Sequence, residues 1–174
     1  MNPFSKLRIG ARLGVAFGLT ILALVLVALF ARLALGEVQD DLRVVTHDRM
    51  PKIEALGEVR ENLNVVARAV RNVALLDDSA AQAAEFKRIE EARVNNTRLL
   101  KRLEETITTP EGLKLLSTLE SVRKSYNAEL DKALALSRQD NPQALRQLLT
   151  GSLRQAQGQY FEGLNALTAY QHRL

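Results

Sequence analysis

The sequence predicts an all-α protein, namely an up-down-up-down antiparallel four-helix bundle preceded by one transmembrane helix that is continuous with the first bundle helix. Three observations favour this fold class. An uncharged apolar run lies near the amino terminus, apolar residues recur every three or four positions over most of the remaining chain, and short polar turns separate the periodic segments.

The apolar run extends from Leu13 to Ala31 and contains no charged residue. As a helix rising 1.5 Å per residue it covers roughly 28 Å, which is close to the ~30 Å hydrocarbon core of a bilayer. A secretory signal peptide has a shorter apolar region, of about 7–15 residues, followed by a small-residue cleavage site. We therefore expect an uncleaved transmembrane helix over residues 13–35.

Basic residues are distributed unequally around this helix. Lys6, Arg8 and Arg12 precede it, whereas only Arg32 follows it closely, and such a bias keeps the richer flank in the cytoplasm. Residues 1–12 are thus predicted to be a cytoplasmic basic segment and residues 36–174 an extracytoplasmic sensor domain. The expected location is the cytoplasmic (inner) membrane, with the bundle in the periplasm.

Composition narrows the choice of partners. The chain has 24 basic and 20 acidic residues, and residues 1–35 hold four basic residues and no acid, so the exported part carries 20 of each sign. The excess positive charge therefore reflects membrane topology, and nucleic acid is not an expected partner. Cysteine is absent, so the exported domain must be held together by burial alone.

The four bundle helices are predicted over residues of about 37–76, 79–107, 110–138 and 142–172. Residues 37–50 are expected to form a stalk, with a kink or packing change near Pro51. The first bundle helix carries an unbroken apolar seam formed by Leu56, Val59, Leu63, Val66, Val70 and Val73.

The other bundle helices carry seams of the same kind, and Asp77-Asp78-Ser79, Thr109-Pro110 and Asn141-Pro142 supply the turns and caps between them. The further core positions predicted are Phe86, Ile89, Asn96, Leu100, Leu103, Ile107, Leu115, Leu119, Val122, Tyr126, Leu130, Ala133, Leu145, Leu149, Ser152, Ala156, Tyr160 and Leu167.

The fourth helix is expected to reach the base of the bundle near Tyr170, shortly before Leu174. A complete architecture of this kind has a second stalk and a second membrane span at that point. We expect the sequence to be an amino-terminal part, or a naturally short version, of something longer.

Several short segments resemble one known family. They are the opening segment Leu7–Leu13, the segment Asp48–Lys52, the segment Ala67–Asn72 and the turn Thr109–Gly112. Together they make the chain similar to the amino-terminal half of a methyl-accepting chemotaxis receptor with its four-helix-bundle ligand-binding domain. None of these segments is a catalytic signature.

The resemblance implies a homodimer in the lipid bilayer that senses a ligand outside the cell. In the receptors that this chain resembles, the ligand lies near the top of the bundle between two subunits, and arginines of the first helix hold its carboxylate. Control of a cytoplasmic kinase is expected only through regions missing from this chain. The same sensor also occurs in front of histidine kinases and cyclic-dinucleotide enzymes.

The first candidate ligand-binding site consists of Asn64, Arg68 and Arg71, which share a stripe that faces away from the predicted core. Arg146 and Thr150 on the fourth helix are expected at the same height. A guanidinium offers paired donors that match a carboxylate and does not deprotonate. The alternative is that these arginines are solvated and pair with nearby acids.

A second candidate site is a cavity inside the bundle. Asn96 and Tyr126 are polar residues at predicted core positions, and Arg93 and Arg123 lie at the edge of the same region. The alternative is a register-fixing asparagine and a packed tyrosine whose hydroxyl reaches solvent.

Gly10, Gly14 and Gly18 recur every fourth residue, a pattern that lets membrane helices approach closely, so they are a candidate transmembrane dimer contact. His47 and His172 are the only histidines, and no metal site or cofactor is expected. No grouping of nucleophile, base and acid is found, so the chain is not expected to be an enzyme.

Two functions are consistent with these patterns. The first is a transmembrane chemoreceptor sensor module that binds a small anionic or zwitterionic ligand in the periplasm. The alternative is a single-pass structural or adaptor bundle that pairs with another protein, for example a periplasmic binding protein, or the sensor half of a histidine kinase or cyclic-dinucleotide enzyme.

Overall fold

The structure is a computed structural model and describes residues 9–139 and 141–174. Lys6 and Arg8, which contribute to the predicted orientation, and Leu7, the first residue of the opening family segment, lie outside the described residues. The α-helices are α1 (Ile9–Val44), α2 (Met50–Val73), α3 (Ser79–Thr106), α4 (Pro110–Arg138), α5 (Pro142–Thr150) and α6 (Ser152–Arg173). No strand occurs in these two ranges.

Helix α1 contains the apolar run recognised in the sequence. Leu13–Leu33 is a 21-residue stretch, none of it buried, which is long and apolar enough to cross a membrane. The chain separates into two compact units, of which the first ends at Thr46 and the second begins at His47. The second unit contains all of α2 to α6.

A π-helical segment, Val45–Arg49, lies between α1 and α2. The sequence predicts a kink or packing change near Pro51, and this change of helix type occurs just before that residue. Pro51 has no backbone N–H and so cannot donate to the carbonyl of His47, which weakens α-helical hydrogen bonding at this point.

The second unit is the predicted four-helix bundle. Helix α2 packs against α3, and α4 packs against α5 and α6, while α2 also contacts α6 and α4. Every predicted seam residue of α2 is buried, and Val59 is fully inaccessible to solvent. The three- and four-residue steps of this seam therefore identified the core face of α2 correctly.

The predicted helix caps are confirmed. The Asp78 carboxylate accepts from the Ala81 backbone N–H at 2.9 Å, Thr109 Oγ1 accepts from Gly112 N–H at 3.3 Å, and Asn141 Oδ1 accepts from Ala144 N–H at 3.2 Å. Each cap satisfies a backbone N–H that has no partner within its helix.

The fourth bundle helix differs from the expectation of a single segment over residues 142–172. It is divided into α5 and α6 at Gly151, whose ψ of −111° lies outside the α-helical region. Just after the break, Leu153 lies in the core and the predicted Ser152 is exposed, whereas Ala156, Tyr160 and Leu167 are buried as predicted. Gly151 has no side chain to favour the helical conformation, which makes it the weakest point of the segment.

Smaller differences concern the edges of the predicted seams. Leu116 is buried and Leu115 only half-buried, and Leu164, absent from the predicted seam, is fully buried. Helix α2 ends at Val73 rather than near Leu76, because the Gln82 side chain donates to the carbonyls of Val73 and Leu76 and closes the turn.

We predict that Gly112→Ala destabilises the bundle. A Cβ at this position would lie 2.6 Å from Thr109 Oγ1 and 2.7 Å from Ile107 Cγ2, so the N-cap of α4 must shift. The free energy of unfolding should fall by about 1–3 kcal/mol, measured by urea denaturation of the full chain in detergent.

Gly57→Ala is the matched control, since a Cβ there would have no neighbour within 4 Å. Alanine should raise the free energy of unfolding by about 0.5–1 kcal/mol through its helix propensity. Equal stability of the two variants would contradict the packing described around Thr109.

Candidate functional site

Asn64, Arg68 and Arg71 lie on α2 and are called the arginine stripe below. Arg68 is exposed and its guanidinium pairs with Glu61 at 3.0 Å. Hydrogen bonds from Arg68, and then from Asn64, lower the pKa of the Glu61 carboxyl. Asn64 and Arg68 therefore converge on an acid of their own helix, which is the surface pairing that the sequence left open as the alternative.

Arg71 differs from Arg68. It is exposed, and no hydrogen bond or ion pair holds its guanidinium among residues 9–139 and 141–174. Its charge acts on Tyr126 of α4 and opposes the rise in the pKa of that hydroxyl. Arg71 is thus a cation with free donors close to the interior of the bundle.

Arg146 and Thr150 lie on α5, and both are exposed. Arg146 Nε donates to the Pro142 carbonyl at 3.1 Å, and Thr150 Oγ1 donates to the Arg146 carbonyl at 2.8 Å. These bonds stay within their own helix and none joins the arginine stripe. Among the described residues of one bundle, no hydrogen bond or ion pair therefore joins the two halves of the first candidate site.

The second candidate site coincides with a cavity of about 270 Å³, called the α3/α4 cavity below. Its lining comes from α2, α3, α4 and α6 and includes Leu63, Val66, Glu90, Arg93, Asn96, Thr97, Arg123, Tyr126, Asn127 and Tyr160. The structure thus gathers Asn96, Arg123 and Tyr126 around one space, as the sequence predicted for this alternative.

Two arginines connect α3 and α4 at this cavity. Arg93 of α3 donates to Asp131 of α4 at 2.7 Å, and Arg123 of α4 donates to Thr97 of α3 at 2.5 Å and to Glu120 at 3.1 Å. Only minor backbone contact occurs between α3 and α4 themselves. At the cavity, polar side chains therefore bridge α3 and α4.

A pair of tyrosines forms the inner wall of the cavity. The rings of Tyr126 and Tyr160 have centroids 5.7 Å apart and are tilted by 52°. Burial raises the pKa of both hydroxyls well above the ordinary tyrosine range. The Tyr160 hydroxyl is buried and has no hydrogen-bond partner among the described residues.

Asn96 is buried at 6% exposure, and its carbonyl oxygen accepts from Asn62 Nδ2 of α2 at 2.9 Å. The asparagine expected to fix the register does therefore have a partner on a neighbouring helix. Sequence reasoning missed Asn62, and it placed Tyr160 in the core without considering its hydroxyl. The argument applied to Tyr126, a polar group at a core position, would have found Tyr160 as well.

The remaining candidates are less informative. Within the single chain, a Cβ added to Gly10, Gly14 or Gly18 of α1 would meet nothing within 4 Å. The proposed contact between two such helices stays a prediction. His47 and His172 are exposed. Among the described residues, no three His, Cys, Asp or Glu side chains are placed to hold a metal ion.

Comparison with known proteins gives one family. The family described as a four helix bundle sensory module for signal transduction matches residues 6–174. The match covers α1 and the whole bundle, and therefore both candidate sites. No curated protein matches the sequence.

We predict that the buried tyrosines make the bundle sensitive to alkali. Because the folded pKa values lie above the unfolded value near 10, this contribution to stability is complete below about pH 10 and is lost as pH rises further. The free energy of unfolding should fall by up to about 1.4 kcal/mol per pH unit for each tyrosine.

Denaturation by urea at about pH 9, 10 and 11 measures this fall. The double variant Tyr126→Phe/Tyr160→Phe lacks both titrating groups and should lose stability less steeply than the wild type. Identical slopes for the two proteins would show that neither hydroxyl is held neutral by burial.

Proposed function

Because the chain belongs to the family of four helix bundle sensory modules for signal transduction, we propose that it is the input part of a membrane chemoreceptor that binds a small anionic or zwitterionic molecule. Binding alone is its task, and no catalytic chemistry is assigned to it. The bundle faces the periplasm, the amino terminus lies in the cytoplasm, and two copies pair in the inner membrane.

The observation that carries the ligand class is Arg71. An exposed guanidinium with no acid beside it retains its full set of donors, which match the acceptor oxygens of a carboxylate. Arg68 lies on the same helix and its partner Glu61 is exposed, so an incoming anion can compete for it. These two arginines make the surface of α2 the part of the bundle best suited to an external anion.

The orientation rests on the basic flank of the apolar helix. Lys6, Arg8 and Arg12 precede Leu13–Leu33, and residues of this kind remain on the cytoplasmic side. The spacing of Gly10, Gly14 and Gly18 supports close pairing of two such helices, since glycine lets the backbones approach.

Signal transfer requires that the ligand bind two arrangements of the helices with different affinity. A molecule held between the arginine stripes of two copies, with Arg146 and Thr150 completing the site, would favour the arrangement in which α2 and the neighbouring α5 and α6 are closest to it. Small shifts of helices past one another are a known form of such a transition.

A ligand screen tests the proposal. The full chain in lipid nanodiscs is heated with a panel of organic acids and amino acids, and at least one compound should raise the melting temperature. Arg71→Ala should weaken the binding of that compound by at least tenfold, which corresponds to about 1.4 kcal/mol.

Arg102→Ala is the matched control. Arg102 is also exposed, but it lies near the carboxyl-terminal end of α3, whereas Arg71 lies near the end of α2 that leads into the start of α3. It should bind the compound as tightly as the wild type. If no compound in the panel stabilises the protein, or if Arg71→Ala and Arg102→Ala behave alike, the proposed recognition of an anion by the arginine stripe is wrong.

A further inference from the structure

We propose that the α3/α4 cavity is a second ligand site, in which a small organic carboxylate binds inside a single bundle. This site is separate from the arginine stripe and needs no second copy of the chain. Four features of the cavity support it, namely an unpartnered buried hydroxyl, two guanidinium groups with unused donors, a suitable volume and an interface that polar side chains bridge.

The unpartnered hydroxyl is that of Tyr160, a residue only 2% exposed that lines the cavity. A buried hydroxyl without a hydrogen bond carries a desolvation cost. The hydroxyl oxygen is itself covered, so an occupant accepts its proton once a side chain of the cavity wall turns aside, and that hydrogen bond removes the cost. Arg123 lines the same cavity as Tyr160.

The guanidinium groups of Arg93 and Arg123 come from opposite sides of the cavity. Arg93 makes a single hydrogen bond, to Asp131, so most of its N–H groups remain available. The Nδ2 group of Asn96 is a further donor, because only the carbonyl oxygen of that amide is engaged. The exposed carboxylate of Glu90 also lines the cavity. The donors of Arg93, Arg123 and Asn96 are complementary to a carboxylate, which only accepts hydrogen bonds.

The size of the cavity restricts the ligand. Its 270 Å³ lies just below the range of about 300–1,000 Å³ that is typical of sites for drug-sized molecules. Leu63 and Val66 of α2 add an apolar patch to the wall. The cavity therefore fits an acid with a short aliphatic body rather than a large or highly charged molecule.

Binding here also has a structural consequence. The bonds from Arg93 to Asp131 and from Arg123 to Thr97 connect α3 to α4, and a bound carboxylate competes with Asp131 and Thr97 for the same donors. The ligand would thus alter the polar bridges between these two helices while leaving the apolar seams of α2 and α6 intact.

Calorimetric titration of the full chain in nanodiscs tests the inference. The probes are propionate, lactate and succinate, each compared with its uncharged amide. The protein has three tyrosines and no tryptophan, so tyrosine fluorescence provides a second signal that arises mainly from the cavity. We expect at least one acid to bind saturably and change this fluorescence, whereas its amide does neither.

Two variants locate the site. Tyr160→Phe removes only the hydroxyl, and Arg123→Gln removes the charge; each should weaken the binding of the acid by about tenfold or more. The matched control is Arg88→Gln, because Arg88 also pairs with an acid three residues before it but does not line the cavity. This control should bind like the wild type. Arg93→Gln repeats the test from α3.

The outcomes separate this inference from the proposed function. If no acid binds saturably, or if Tyr160→Phe and Arg123→Gln both bind within twofold of the wild type, the cavity holds water only and the inference is overturned. If Arg71→Ala abolishes binding while both cavity variants retain it, the inference is again overturned but the proposed function stands.

Discussion

Burial of the apolar seam along α2 is the interaction on which the rest of the bundle depends. The seam runs from Ala55 to Val73, and α3, α4 and α6 all contact the helix that carries it. Each fully buried Val or Leu side chain contributes roughly 1.5–3 kcal/mol relative to an exposed one, so this seam makes a large contribution to the stability of the bundle. Because α3 and α4 are each packed against other helices, they need not pack against each other.

This arrangement explains why the polar groups collect where they do. Beside the cavity, α3 and α4 carry Arg93 and Arg123, which are half-buried and make polar bridges between the two helices. Charge-assisted hydrogen bonds in a partly buried position are stronger than on an open surface, and a ligand that rearranges them changes the contact between two helices.

The fold was largely predictable because its signals are local. The periodic apolar residues of α2 and the caps at Asp78, Thr109 and Asn141 depend on neighbours within a few positions, and the structure confirms each of them. The break at Gly151 was not predicted, since a glycine in a helical pattern is often tolerated.

The candidate sites were less predictable, because the partners of their side chains are not specified by a local helical pattern. A helical pattern places Asn64, Arg68 and Arg71 on one face. It does not reveal that Arg68 forms an ion pair with Glu61 whereas Arg71 forms none among the described residues. Partners across helices, such as Asn62 for Asn96, depend on register.

The central claim, an accessible polar cavity inside the bundle, can be tested with cysteine variants, since the chain has no cysteine of its own. The two variants are Val66→Cys and Val59→Cys. Both valines lie on α2 and are almost fully buried, at 2% and 0% exposure, but only Val66 lines the cavity. The account predicts that a small anionic methanethiosulfonate reagent modifies Val66→Cys at least about tenfold faster than Val59→Cys, as expected for a site open to solvent; equal, slow reaction of both would contradict it.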